Sequence, residues 1–221
     1  MMIHRKVYDA PPVNLREILR YAGAGEDCGE LSGLIRECMD EVSNRLTYKV
    51  CWRDFPVMDE GGTLDIGFLK TESKDLKKNL SGCERVILFA ATVGMEIDRL
   101  IIRYGRISPV KALLFQAIGA ERIESLTECF ACDVAQQAME QGKHARIRFS
   151  PGYGDFPLSV QKQIFDVLEC QKQIGLTLNA SLLMSPSKSV TALIGIGETP
   201  CITHSGCGSC KKIDCTFRDA V

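Results

Sequence analysis

The most apolar stretch of the sequence is RVILFAAT, residues 85–92. It lacks the regular alternation of polar and apolar side chains that indicates a strand with one solvated face. A short run of this kind, closed by Gly94, is typical of a central strand that is buried on both faces. We therefore expect a hydrophobic core on each side of this strand.

Helical spacing dominates after this strand. A helix that carries Met95 and Leu100 is followed by Ser108-Pro109, an N-cap residue and a first-turn proline. The longest periodic run of the chain begins there and continues to Gly142, a residue suited to the position after a helix C-terminus. Unbroken, this helix would be roughly 48 Å long at 1.5 Å per residue, and the sequence favours a bend near Gly119.

The remaining segments mix helices and strands. Asn14 and Glu17 have the spacing of a capping box at the start of a short helix. Further helices are predicted over residues 31–46 and 70–80 and after Ser159. Strands are predicted over residues 48–53, 63–68, 145–149 and 189–196, with short ones between 176 and 184. Because several strands follow one another directly, the pattern predicts an α+β fold with a mixed sheet rather than a doubly wound parallel one.

Composition excludes several classes of function. The formal net charge is −1, and the basic residues form no stripe with the aromatic ones, so nucleic acid is not an expected partner. No apolar run approaches the roughly 20 residues of a membrane-spanning helix. The first residues do not resemble a signal peptide, so we expect a cytoplasmic protein.

Four of the eleven cysteines fall within the last 21 residues, namely Cys201, Cys207, Cys210 and Cys215. Cys207 and Cys210 form a Cys-x2-Cys pair flanked by glycine, so this tail is a candidate ligand set for zinc or an iron–sulfur cluster. A redox dithiol and an inert tail are the other two interpretations. The scattered cysteines are predicted to be small buried hydrophobic residues: Cys28, Cys38, Cys51, Cys83, Cys129, Cys132 and Cys170.

Three glutamates share one face of the predicted long helix. Glu121, Glu124 and Glu128 are spaced by three and four residues. We interpret Glu121 and Glu128 as solvated surface residues. Glu124 lies at the edge of the apolar face and is a candidate for a neighbouring pocket.

The segment RFSPGYGDFP, residues 148–157, places an arginine, aromatic residues and two glycines around one tight turn. The alternation before it predicts that Arg148 points away from the apolar face of a strand. The amides of Gly152, Tyr153 and Gly154 are available to bind a ligand or to close the turn. The segment therefore fits two interpretations, a structural Pro-Gly turn and a site for a flat anionic ligand.

Ordered motifs in the second half of the chain resemble the activation domain of cobalamin-dependent methionine synthase. They are Arg148-x-x-Pro-Gly-Tyr153 with Pro157, the helix that follows, Ile174-Gly-Leu-Thr-Leu178, and Met184-x-Pro-x-x-Ser-Val-Thr191. The turn at residues 91–94 and the Glu124-x-x-x-Glu128 helix are similar to upstream parts of short, free-standing versions of that domain. The resemblance is strong over residues 148–192 and loose before residue 85.

This resemblance implies a twisted, mainly antiparallel sheet flanked by helices, with S-adenosylmethionine as the ligand. Arg148 would pair with the ligand's carboxylate, which the planar guanidinium suits. Backbone around Ser150, Gly152 and Tyr153 would hold the adenine and the ribose, and Glu124 would accept a hydrogen bond from a polar group of the ligand. Cobalamin would arrive on a partner protein, because the sequence contains no recognisable corrinoid module.

We therefore expect an activation-like domain over residues 1–197, with residues 1–84 as its N-terminal part, and a cysteine-rich tail over residues 198–221. The leading hypothesis is a stand-alone component that reactivates a corrinoid-binding methionine synthase. It would position S-adenosylmethionine for methyl transfer after one-electron reduction by a donor such as flavodoxin or ferredoxin.

Two other hypotheses stay open. One is a non-enzymatic accessory protein for a corrinoid protein, with zinc or an iron–sulfur cluster in its tail. The other is an ordinary binding domain with a metal-stabilised structural tail.

Overall fold

A computed structural model describes residues 2–24 and 29–199. These residues form ten strands and seven α-helices. In chain order they are β1 (His4–Tyr8), α1 (Leu15–Tyr21), α2 (Gly29–Val42), β2 (Tyr48–Pro56), β3 (Met58–Glu60), β4 (Thr63–Asp65), β5 (Lys70–Thr71), α3 (Lys74–Asn79), β6 (Cys83–Thr92), α4 (Glu96–Tyr104), α5 (Pro109–Glu140), β7 (His144–Ala145), α6 (Gln161–Val167), α7 (Cys170–Ile174), β8 (Thr177–Leu178), β9 (Met184–Ser185) and β10 (Ser189–Gly197).

Five strands form the main sheet in the order β1-β2-β6-β10-β7, and all neighbouring pairs are antiparallel. The apolar stretch at residues 85–92 lies in β6, the middle strand, as predicted. Ile87 and Phe89 enter one hydrophobic core, whereas Val86 and Leu88 enter a second core on the opposite face. Burial on both faces explains why the sequence of this strand shows no polar alternation.

Helices cover both faces of this sheet. One core lies between the sheet and helices α1, α2, α4 and α5, and the second contains residues of α3, α6 and α7. The architecture is therefore α+β, with an antiparallel sheet flanked by helices, which confirms the fold class that the resemblance implied. The cysteine-rich tail in that prediction lies outside the described residues from residue 200 onwards. The mixed sheet expected from the order of elements was wrong, because every strand pair among the described residues is antiparallel.

Helix α5 is the longest element and supplies one wall of the first core. Ser108 caps it by accepting a hydrogen bond from the Lys111 amide at 3.5 Å, and Gly142 follows its end with a φ of 69°. The helix is continuous through Gly119. A Cβ at Gly119 would lie 2.7 Å from Ile97 and 2.8 Å from Lys188, so this glycine permits close packing of its neighbours against α5.

Several short elements differ from the sequence predictions. Strand β1 was not predicted, and residues 70–71 pair with β4 instead of beginning the helix, which starts at Lys74. Ser159 lies inside a 3-10 turn, and α6 begins two residues later without a side-chain cap. The predicted strand over residues 145–149 is reduced to β7 and a single bridge at Phe149.

The scattered cysteines divide into two groups. The buried ones are Cys38, Cys51, Cys83 and Cys170. Cys129 is half-buried, and Cys132 is exposed on α5, so the prediction that these cysteines are buried was wrong for Cys132. Cys28 lies outside the described residues.

Candidate functional site

Backbone hydrogen bonds hold the segment that carries Arg148 beside strand β10. The Arg146 amide donates to the Gly195 carbonyl at 2.7 Å, and Phe149 and Leu193 exchange two hydrogen bonds of 2.9 and 2.8 Å. The segment is therefore extended even where it forms no regular strand. Pairing with β10 therefore fixes the backbone position from which the Arg148 side chain projects.

The Arg148 guanidinium reaches across to helix α5. Its Nη1 donates to the hydroxyl of Thr127, and its Nη2 forms an ion pair with the carboxylate of Glu124. The two partners are three residues apart and so lie on one face of the helix. The side chains of Arg148 and Glu124 are 29% and 41% exposed, so the ion pair is open to solvent. The structure thus brings together two of the residues that the sequence proposed for the site.

The turn after Arg148 closes on itself. The Gly152 amide donates to the Phe156 carbonyl at 2.8 Å, and the Tyr153 amide donates to the Ser150 carbonyl at 3.2 Å. These two amides therefore close the turn and are not available to a ligand. The side chain of Tyr153 is exposed on the turn. A ligand here would meet carbonyl oxygens and this aromatic ring rather than a cradle of amides.

Asp155 fastens this turn to helix α3. Its carboxylate accepts hydrogen bonds from the Ser73 hydroxyl and from the amides of Lys74 at 2.7 Å and Asp75 at 3.2 Å. The Ser73 hydrogen bond first, and then these amides, hold the pKa of Asp155 below its usual value. A Cβ at Gly154 would lie 2.1 Å from the Asp75 carboxylate, so the second glycine of the motif serves this junction.

Glu121 is buried, which contradicts its interpretation as a solvated residue. Its side chain and that of Arg122 are 2% and 1% exposed, and they form an ion pair of 2.5 Å. Arg122 also donates to the carbonyls of Pro11 at 2.6 Å and Pro12 at 2.7 Å, while Glu121 accepts the Asn14 amide at 2.9 Å. The prediction failed because these partners come from the N-terminal segment, more than 100 residues away in sequence.

A cavity of about 200 Å³ opens between helices α1 and α5. Its lining residues are Asn14, Glu17, Tyr21, Glu121, Glu124, Ser125 and Glu128. Glu124 therefore contacts Arg148 and also borders this cavity. Glu128 is exposed, as the sequence predicted.

Sequence reasoning missed Thr127, which helical spacing from Glu124 could have indicated. It also missed Glu17 and Tyr21 as neighbours of Glu124, because no local pattern places α1 beside the middle of α5.

Two further cavities contain none of the predicted site residues. One, of about 650 Å³, shares Asn14, Ser125 and Glu128 with the smaller cavity and extends along α5 to Asp133. Another, of about 910 Å³, is lined by residues of α6, α7 and β8. Neither cavity is lined by Arg148 or by the turn at residues 150–157.

The proposed metal ligands Cys201, Cys207, Cys210 and Cys215 lie outside the described residues. Within residues 2–24 and 29–199, no group of three or more His, Cys, Asp or Glu side chains is arranged to hold a metal ion. None of the helices in the same ranges has the length and apolar character needed to cross a membrane.

The fold and the ion pair define an α+β domain in which an arginine beside the sheet edge contacts a glutamate of the long helix at a solvent-accessible position. The family model described as vitamin B12 dependent methionine synthase, activation domain, matches residues 71–202, more than half of the chain. The chain belongs to this family, as its motifs implied.

A solved structure shares the fold. It is described as the crystal structure of the MetH reactivation domain bound to AdoHcy. The TM-score is 0.64 at 17% sequence identity, and the match covers 88% of this chain and 78% of that chain. The similarity thus extends over most of both molecules.

Proposed function

We propose that this chain is a stand-alone reactivation component of a cobalamin-dependent methionine synthase. It binds S-adenosylmethionine and supports reductive remethylation of an oxidised corrinoid on a partner protein. The observation that carries the proposal is the partly exposed Arg148–Glu124 pair on a domain of the activation family. AdoHcy, the ligand of the solved relative, differs from S-adenosylmethionine only by the transferred methyl group and its charge.

The ion pair suits the amino-acid end of this ligand, which carries a carboxylate and an ammonium group. A guanidinium has five N–H donors. Among the described residues, Thr127 and Glu124 engage one terminal nitrogen of Arg148 each, so donors remain for the ligand's carboxylate. The Glu124 carboxylate accepts from the ammonium group. The pair therefore complements both charges of a zwitterion.

The turn at residues 150–157 holds the nucleoside end in this proposal. The amides of Gly152 and Tyr153 and the carbonyls of Ser150 and Tyr153 are engaged within the turn. In this proposal the Gly152 carbonyl and the second lone pairs of the other two carbonyls accept hydrogen bonds from the adenine amino group and the ribose hydroxyls. The exposed ring of Tyr153 offers a flat surface to the base.

The chain contributes binding and positioning, while the corrinoid of the partner supplies the cobalt that accepts the methyl group. The partner is a corrinoid-binding methionine synthase, and the electron comes from a donor such as flavodoxin or ferredoxin.

Strand β10 ends at Gly197, which supports a domain over residues 1–197 and a separate tail over residues 198–221. Zinc or an iron–sulfur cluster in that tail remains a prediction from sequence.

Isothermal titration calorimetry with S-adenosylmethionine tests the binding site. Loss of a charge-assisted hydrogen bond costs roughly 1.5–3 kcal/mol, so Arg148→Ala should weaken binding by about 10- to 100-fold. Arg146→Ala is the matched control, because Arg146 lies on the same segment but contacts Ser81 and Thr199 instead of α5. Circular dichroism checks that both variants fold. Absence of binding by the unaltered protein, or equal affinity in Arg148→Ala, would refute the site.

A remethylation assay tests the activity itself. The chain is mixed with a corrinoid-bearing methionine synthase, a low-potential reductant and S-adenosylmethionine labelled in its methyl group. Label should appear on the corrinoid only when the chain is present, and Arg148→Ala should abolish most of it. Label transfer that is independent of the chain would contradict a reactivation role.

A further inference from the structure

The connection between helices α4 and α5 carries an exposed apolar surface. Ile102 lies in the last turn of α4, Ile107 lies in the connection, and Val110 and Leu113 lie in the first turns of α5. The exposed fractions of these four side chains range from 52% to 71%. Large apolar side chains on a surface that stays in water are normally scattered singly, whereas a cluster indicates a contact with another molecule. We call these four residues the hairpin cluster.

The hairpin cluster is held in place before any partner binds. The amides of Ile107 and Ser108 donate to the Tyr104 carbonyl at 3.0 and 2.8 Å. The Tyr104 hydroxyl donates to the Glu41 carboxylate of α2 at 2.8 Å, and its ring packs against Phe115 of α5. A preformed surface loses little conformational entropy on association, which favours binding.

Basic side chains border the hairpin cluster. Arg99 and Arg103 of α4 are 72% and 61% exposed, and their ion pairs with Glu96 and Glu41 are 3.4 and 3.7 Å long. Ion pairs as open as these contribute little, so both guanidinium groups can exchange partners. Arg106 is exposed, and no acidic residue in the described part of the chain pairs with it. The border therefore fits carboxylates of another protein.

One face of α5 connects the hairpin cluster to the Arg148–Glu124 pair. Leu113 and Glu124 are eleven residues apart, close to three full turns, so they project from the same face about 16 Å apart. Lys188 lies beside this face and donates to Gln116 of α5 at 2.5 Å. Among residues 2–24 and 29–199, no carboxylate forms an ion pair with Lys188. The hairpin cluster and the ligand site are thus parts of one continuous surface with positive charge between them.

We propose that the corrinoid-bearing methionine synthase docks on this face of α5, from the Arg148–Glu124 pair to the hairpin cluster. The inference rests on the function proposed above and adds the surface that holds the partner protein. A standard interface covers about 800 Å² of each protein, a disc of roughly 16 Å radius. A protein that brings its corrinoid to the ligand beside Glu124 therefore extends along α5 as far as Leu113.

The charges decide against a second copy of this chain as the occupant. In a two-fold dimer the same patch lies on both sides of the interface, so Arg99, Arg103 and Arg106 would face the same arginines of the other copy. The docking surface of the partner accordingly combines an apolar centre opposite the hairpin cluster with Asp or Glu side chains at its border.

Surface plasmon resonance with immobilised corrinoid-bearing methionine synthase, in the presence of S-adenosylmethionine, tests the inference. Ile107→Gln/Leu113→Gln should weaken association by roughly ten- to thirtyfold, because two large apolar side chains are no longer buried by the partner. Arg106→Glu should weaken it by roughly three- to tenfold at low ionic strength and by less at high ionic strength. In both docking variants the calorimetric affinity for S-adenosylmethionine should stay the same, because Arg148 and Glu124 are intact.

Two variants elsewhere on the chain are the controls. Met139→Gln removes an apolar side chain that is 70% exposed at the other end of α5. Lys78→Glu makes the same change in charge as Arg106→Glu, but on α3, which covers the opposite face of the sheet. Both controls should associate with the partner as the unaltered chain does.

The remethylation assay separates docking from ligand binding. The docking variants should raise the partner concentration needed for the half-maximal rate by the same factors and leave the rate at saturation unchanged. Unchanged association in both docking variants would overturn the inference, and continued label transfer in them would leave the proposed function in place. Absence of label transfer by the unaltered chain would overturn both.

Two other results would also contradict docking of the corrinoid protein at this surface. A loss of S-adenosylmethionine affinity in the docking variants would show that the hairpin has a structural role. A dimer in analytical ultracentrifugation that dissociates in Ile107→Gln/Leu113→Gln, with the affinity for the partner unchanged, would assign the surface to a second copy of the chain.

Discussion

The buried pair formed by Glu121 and Arg122 gives the sharpest test of how the N-terminal segment is held. Glu121→Gln removes one charge and leaves Arg122 with the carbonyls of Pro11 and Pro12 but no anion. Breaking a buried ion pair from one side costs roughly 3–5 kcal/mol. Because two carbonyl partners remain, we expect a loss near the lower limit, about 3 kcal/mol in the free energy of unfolding.

Urea unfolding followed by circular dichroism measures this loss, with the slope checked for a constant unfolding transition. In a chain of this size, it corresponds to a fall in Tm of roughly 6–12 °C. Glu128→Gln is the matched control on the same helix and should change stability by no more than about 0.5 kcal/mol, because its side chain is exposed.

A double-mutant cycle isolates the interaction between the two charges. Glu121→Gln/Arg122→Met should cost clearly less than the sum of the single changes, because it leaves no unpaired buried charge. A loss below about 1 kcal/mol in Glu121→Gln, or simple additivity in the cycle, would refute the reasoning.

Two further predictions concern stability. Gly154→Ala should destabilise the protein by roughly 1–3 kcal/mol more than Gly142→Ala in urea unfolding, because both glycines have positive φ but only a Cβ at residue 154 would collide, 2.1 Å from Asp75; equal losses would show that backbone strain alone matters. Burial raises the pKa of Cys38 from 9.0 to about 11, so the unfolded thiol ionises first, and this contribution to stability is complete below about pH 9 and is lost as pH rises towards 11. Cys38→Ala should therefore flatten the decline of stability measured between these pH values, and an unchanged slope would contradict the assignment.

Long patterns in the sequence predicted the framework of the fold. Strands β6 and β10 contain long continuous apolar runs, and helix α5 has a long helical periodicity, so all three are evident in the sequence. Strand β1 was missed because Arg5, Lys6 and Val7 are exposed, which leaves no alternation to detect. Its assignment depends on pairing with β2, whose residues lie 40 to 48 positions later in the sequence.

The site was only partly accessible to sequence reasoning. Arg148 and Glu124 could be proposed from residue type and position, but their contact requires the long helix to pass beside the sheet edge. The amides of Gly152 and Tyr153 donate to carbonyls within the turn, a pairing that depends on the three-dimensional shape of the turn. Glu121 is buried by residues of the N-terminal segment, more than 100 positions away. Local patterns contain no information about such pairings.

The position of β6 also bears on how the protein behaves at high concentration. Its continuous apolar sequence is of the kind that pairs with other chains when it is exposed. Here β2 and β10 satisfy its backbone on both sides. Among residues 2–24 and 29–199, no further strand pairs with the outer edge of β1, which carries Arg5 and Lys6, and β7 at the other edge is only two residues long. Charged or very short edge strands discourage edge-to-edge pairing between molecules. The apolar strand β6 is therefore kept inside the sheet, away from the edges at which fibril growth could begin.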